Sequence, residues 1–141
     1  MVLKSMPHPK LPHQPPLRLL TRIDSRGSDS VAHALVAAGS PAEAGGWIRS
    51  GYLIEIAAQA VAAHQSLATG ADTDENRTVS GMLTAVRHWR HHAAVRAETI
   101  VEVLVQPLAT LGNAAQFDTT IRQDGQLVAA GTLQVIRTSS P

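Results

Sequence analysis

The chain has 141 residues, 12 basic against 11 acidic side chains, no cysteine and 3% aromatic residues. That length suits one domain burying roughly 70% of the surface its unfolded form exposes. The missing cysteines exclude a disulfide framework, a thiol nucleophile and a thiolate metal site, the interspersed charges favour no polyanion, and the few rings give single-stranded nucleic acid no stacking platform.

Residues 1–16 hold Pro7, Pro9, Pro12, Pro15 and Pro16, which lock φ and remove amide donors, so the segment reads as an extended, proline-rich arm ahead of one domain over residues 17–138. The arm lacks the apolar core of a signal peptide. The longest apolar region, residues 52–63, is interrupted by Glu55 and Gln59 and is too short to span a bilayer. These features predict a soluble, cytoplasmic protein.

From Leu17 to Asp24 apolar and polar residues alternate well enough for a first strand, and Ser25-Arg26-Gly27-Ser28-Asp29 supplies a turn into a second strand over Ser30–Ala38. Gly39 to Gly46 reads as a loop. Residues 47–68 are apolar on almost every side, the mark of a buried helix about 30 Å long at about 1.5 Å per residue. Gly70 stops it.

The period then changes to two, with strands near 78–90, 97–107, 114–123 and 126–137. Val101, Val103 and Val105 share one face of the second, and Ala115, Phe117, Thr119 and Ile121 share one face of the third. Gln123-Asp124-Gly125-Gln126 is a hairpin signal. Four consecutive strands joined by short turns predict an antiparallel meander. The whole is an α+β hotdog fold, in which a curved antiparallel sheet of about six strands wraps a long central helix. A flat sheet would leave half of an apolar helix wet, at about 25 cal/mol per Å².

Leu11-Pro12-His13-Gln14-Pro15-Pro16-Leu17, followed by Leu19-Leu20-Thr21-Arg22-Ile23, resembles the opening of hydroxyacyl-carrier-protein dehydratases of the FabZ type, and more closely that of their ApeP-like branch, associated with aryl polyene clusters. Tyr52-Leu53-Ile54-Glu55-Ile56-Ala57-Ala58-Gln59-Ala60-Val61-Ala62-Ala63-His64 is similar to that branch's Glu-x-Met-Ala-Gln-Ala-x-Ala-x-His helix. Ser80-Gly81-Met82-Leu83 and the Gly125 hairpin resemble its later segments. The likeness implies acyl thioesters on an acyl carrier protein as ligands, pairing as a homodimer or a hetero-hotdog dimer, and no cofactor. One departure stands out: dehydratases of the FabZ type carry a catalytic histidine about fourteen residues before the helix glutamate. Here that position is Pro41, and residues 34–54 contain no histidine.

Glu55 is the leading catalytic candidate. Desolvation among Leu53, Ile54, Ile56 and Ala58 favours the protonated form of a carboxyl group, which suits a general acid. Gln59 and Ser66 share its side of the helix. Gly51 and Tyr52, at the helix N-terminus, are candidates to bind the thioester carbonyl through their amides, and Gln59 joins them as a substrate-binding candidate. The base removing the α proton must come from elsewhere, with His13 the first choice; the alternative is that His13 pins the arm. His64 falls nine residues after Glu55, on the opposite side of the helix, and reads as a packed histidine.

The run Arg87-His88-Trp89-Arg90-His91-His92 alternates so that His88, Arg90 and His92 share a face. An arginine between two histidines disfavours a cation, so no metal site is expected. Arg87, Arg90 and Arg96 either meet an acidic carrier protein or form a solvated strand face. Three functions remain open: a dehydratase-like enzyme with Glu55 as acid, a catalytically silent subunit that pairs with an active dehydratase, and a thioesterase whose carboxylate activates water.

Overall fold

The structure is a computed structural model that describes residues 5–6, 19–69 and 79–139. In chain order it contains β1 (Ser5–Met6), β2 (Leu20–Arg26), β3 (Asp29–Ala34), β4 (Glu43–Ala44), β5 (Trp47–Ile48), α1 (Gly51–Thr69), β6 (Val79–His91), β7 (Val101–Leu111), β8 (Ala114–Gln123) and β9 (Gln126–Ser139). One antiparallel sheet runs β1-β2-β3-β7-β8-β9-β6, with β4 and β5 forming a separate hairpin. Six long strands wrap α1, which packs against β2, β3, β6, β7 and β8. Most of the expected arm lies outside the described residues, apart from Ser5–Met6, which pairs with Ile23 and Asp24.

Period-two patterning explains the core. Along β8 every second residue is buried, so Ala115, Phe117, Thr119 and Ile121 face inward. Val101, Val103 and Val105 of β7 do the same, and Ile56, Ala57, Ala60 and Val61 of α1 fill the concave side at zero exposure. Each large apolar side chain withdrawn in this way contributes about 1.5–3 kcal/mol. Asp124 (φ 53°) and Gly125 (φ 77°) close the β8–β9 hairpin with two left-handed residues, the conformation a two-residue turn of primed type needs.

Four expectations are corrected. The last four strands do not form a consecutive meander: β7, β8 and β9 do, but β6 pairs with β9 and ends the sheet. Such a pairing joins segments far apart in sequence and leaves no local signature. Second, α1 begins at Gly51 rather than at residue 47, because Gly45 (φ 60°) and Gly46 (φ 90°) turn the chain so that Ala44 pairs with Trp47 and Glu43 with Ile48. Third, α1 is not enclosed all round. Ile54, Glu55, Ala58 and Ala62 form a half-buried stripe that the chain's own sheet leaves partly open.

The fourth correction concerns the first two strands. β2 begins at Leu20 and contains an irregularity between Leu20 and Arg22, so Leu20, Ile23 and Asp24 are buried instead of a strict alternation. β3 ends at Ala34, beyond which Leu35 donates to the Leu19 carbonyl at 3.1 Å and the chain leaves the ladder.

Candidate functional site

The open stripe of α1 carries Glu55. One turn later Gln59 is fully buried, and its amide is used at both ends: Oε1 accepts from the Leu19 backbone N–H at 2.8 Å, and Nε2 donates to Glu55 Oε1 at 3.2 Å. A buried amide needs such partners, since leaving one end unmade costs about 1–3 kcal/mol. Gln59 thus ties the carboxylate to the residue that precedes β2. The i, i+4 spacing read from the sequence brings Glu55 and Gln59 together, and Ser66 lies half-buried further along α1.

At the N-terminus of α1, Gly51 is exposed and Tyr52 half-buried. The Tyr52 amide donates to the Arg49 carbonyl at 2.9 Å and the Leu53 amide to Ser50 at 3.1 Å. Of the two amides singled out in the sequence, Tyr52 therefore already has a backbone acceptor.

The segment before α1 is clamped to the connection between β6 and β7. Ile48 N–H donates to Val95 O at 2.8 Å, Ala97 N–H to Gly46 O at 2.9 Å, and Glu98 N–H to Val36 O at 2.8 Å. Glu98 adopts φ 63° and its side chain accepts from the Ala38 amide. Gln123 is buried where β8 ends, with Oε1 accepting from Arg96 N–H at 2.9 Å and Nε2 donating to Arg96 O at 2.8 Å. These clamps were not read from the sequence. For Gln123 a signal exists: it continues the inward register of Phe117, Thr119 and Ile121.

His64 is buried on the side of α1 away from Glu55. Its Nδ1 lies 2.6 Å from Ser30 Oγ, and its ring meets Phe117 edge-on at a centroid distance of 5.5 Å. Burial lowers its pKa from the usual imidazole value, with the Asp29 charge opposing. His13 lies outside the described residues. Arg96 pairs with Asp124 at the β8–β9 turn, while Arg87 and Arg90 are exposed on β6.

A helix enclosed by one curled antiparallel sheet, with a carboxylate on its open side, defines a hotdog-fold protein. The chain belongs to the ApeP-like family, described as ApeP dehydratase, whose profile matches residues 6–141. No curated protein sequence gives a significant match. Among solved structures, a chain of the dehydratase heterocomplex ApeI:P from Xenorhabdus doucetiae superposes with a TM-score of 0.78 at 20% identity, over 91% of this chain and 88% of that one. A hypothetical thioesterase with coenzyme A from Streptococcus pneumoniae gives 0.65 at 16%, covering 84% and 88%. A 1,4-dihydroxy-2-naphthoyl-CoA thioesterase from Synechocystis gives 0.60 at 12%, covering 80% and 84%. These identities speak to the fold. Among the described residues no helix is long and apolar enough to cross a membrane.

Proposed function

We propose that the protein binds acyl thioesters carried on an acyl carrier protein and acts, in the manner of a dehydratase, on 3-hydroxyacyl groups. The carrying observation is the hydrogen-bonded chain from the Leu19 amide through Gln59 to Glu55, which orients one carboxyl group on the open stripe of α1. In this reading the thioester carbonyl lies near the N-terminus of α1, where the Gly51 amide and the helix dipole stabilise developing negative charge. A base takes the α proton, Glu55 donates its proton to the departing β-hydroxyl, and water and an enoyl thioester leave. The base comes from outside residues 34–54, with His13 as first choice.

A second reading is that of a catalytically silent subunit that pairs with an active dehydratase and supplies structure or carrier-protein docking. It is favoured by β6, which ends the sheet with one side of its ladder unpaired among the described residues and presents Met82 (65% exposed) and Leu83 (38%). The related ApeI:P assembly is itself a heterocomplex.

Purified protein assayed with a 3-hydroxyacyl carrier protein separates the possibilities. Dehydration by the chain alone that Glu55→Gln abolishes supports the first reading. Activity that appears only when a second hotdog subunit is added supports the other. Release of free thiol without loss of water replaces both with hydrolysis.

A further inference from the structure

The convex face of the sheet carries a pocket that α1 does not touch. In the ladder between β6 and β9, Arg87 pairs with Thr132 and Arg90 with Ala130, so His88 and Trp89 together stand opposite Gly131. A bulge of this kind bends its strand and re-aims side chains. His88 takes φ 56°, a conformation that side-chain-bearing residues seldom adopt and that concentrates at functional sites. Trp89 packs against the core. Gly131 provides the room, since a Cβ there would lie 2.6 Å from Trp89 Cε3 and 3.0 Å from its Cα.

The bulge opens a pocket of about 240 Å³ whose walls include His88, Arg90, His92, Asp118, Thr120 and Thr132. Asp118 and Thr120 alternate along β8 with the inward Phe117, Thr119 and Ile121, which sets the pocket on the opposite face of the sheet from Glu55. Among the described residues no carboxylate comes within salt-bridge distance of Arg90. One guanidinium and two imidazoles offer more donors than the two oxygens of a carboxylate use, and suit the three oxygens of a phosphoryl group. Asp118 accepts from Thr132 Oγ1 at 2.8 Å. It repels a bare dianion but accepts a hydroxyl. The volume lies below the roughly 300–1,000 Å³ of pockets that enclose drug-sized molecules, so the occupant is small.

We propose that this pocket binds a small phosphate monoester bearing a hydroxyl group, such as a short polyol phosphate, with the phosphoryl oxygens on Arg90, His88 and His92 and the hydroxyl on Asp118. The site stands apart from the acyl chemistry and does not depend on the role of Glu55.

Trp89 is the natural reporter. The sequence has two tryptophans, so Trp47→Phe in the full chain leaves Trp89 alone. Glycerol 3-phosphate is expected to change its fluorescence saturably in the millimolar range, inorganic phosphate more weakly, and glycerol not at all. Backbone amide shifts of Thr120 and Thr132 read the same titrations independently. Arg90→Gln should weaken both phosphates about tenfold without moving the melting temperature. Asp118→Asn should weaken the ester and tighten inorganic phosphate, which separates the ester from the free ion as the ligand. The proposal is overturned if neither fluorescence nor amide shifts saturate with either phosphate, or if Arg90→Gln binds both as before. Equal tightening of both by Asp118→Asn overturns the hydroxyl assignment.

Discussion

Ser30 Oγ and His64 Nδ1 are 2.6 Å apart, inside the protein and on the side of α1 turned away from Glu55. This contact gives Nδ1 of a buried ring a hydrogen-bond partner. It also makes the fold sensitive to acid, because burial lowers the His64 pKa while Asp29 opposes the shift. Well above the unfolded pKa of about 6.5 neither folded nor unfolded chain carries this proton, and the full contribution to stability is present. Below it the unfolded chain binds the proton first, so stability falls with pH until the folded pKa has been passed. The expected result is a urea midpoint that drops as the pH falls from about 7, and drops less in His64→Gln. Ser30→Ala should cost about 1–3 kcal/mol at neutral pH, by leaving a buried acceptor or donor unmade. Equal acid slopes in parent and His64→Gln would rule His64 out as the source.

Gln59 holds two groups with one amide, and the two can be separated. Gln59→Leu keeps the volume but removes the acceptor for Leu19 N–H and the donor to Glu55, so thermal unfolding should register a loss of about 1–3 kcal/mol. Gln59→Glu retains an acceptor for Leu19 while placing a second carboxyl group against Glu55. Its stability should lie nearer the parent, whereas dehydration should fall as far as in Gln59→Leu. A Gln59→Glu variant with parental kcat would argue that Glu55 needs no orientation from this side chain.

β6 ends the sheet, and Met82 and Leu83 on it are exposed apolar side chains; a solved structural relative is itself a chain of a heterocomplex. A second hotdog chain would extend the sheet along this edge. Leu83→Lys places a charge where such a chain would pack and should weaken self-association or hetero-association at least about tenfold. Circular dichroism should be unchanged. Light scattering that shows the same assembly in the parent and in Leu83→Lys would place the partner elsewhere.

The legible parts of this protein were those set by nearest neighbours along the chain. The inward faces of β7 and β8 follow from alternation, the β8–β9 turn from Asp124-Gly125, and the link between Glu55 and Gln59 from helical spacing. Pairing between β6 and β9 was not legible, because which strand lies beside β6 depends on the closure of the whole sheet. The open stripe along Ile54, Ala58 and Ala62 was hidden for a related reason. A run of small apolar residues looks the same whether its own sheet covers it or another chain does. Glu98 and the Gly45-Gly46 turn escaped because their roles depend on the pre-helix segment meeting the β6–β7 connection, residues some fifty positions apart.

Gly131 and Trp89 give the last prediction, and it concerns how the bulge in β6 is held. A methyl group at residue 131 would meet Trp89 Cε3 at 2.6 Å, Trp89 Cα at 3.0 Å and the Arg87 carbonyl oxygen at 3.3 Å. Two of these atoms are backbone, so a rotation of the indole relieves only part of the clash. Gly131→Ala should therefore destabilise the protein by about 1–3 kcal/mol, the usual cost of overpacking. Trp89→Leu removes Cε3 but keeps the Cα, and it forfeits packing against the core. In the double variant the second substitution should cost less than it does alone, giving a coupling of roughly 0.5 kcal/mol or more in a double-mutant cycle of denaturant midpoints. Strict additivity would mean that the indole yields freely to the added methyl, and that the bulge is set by the backbone of residues 87–90 alone.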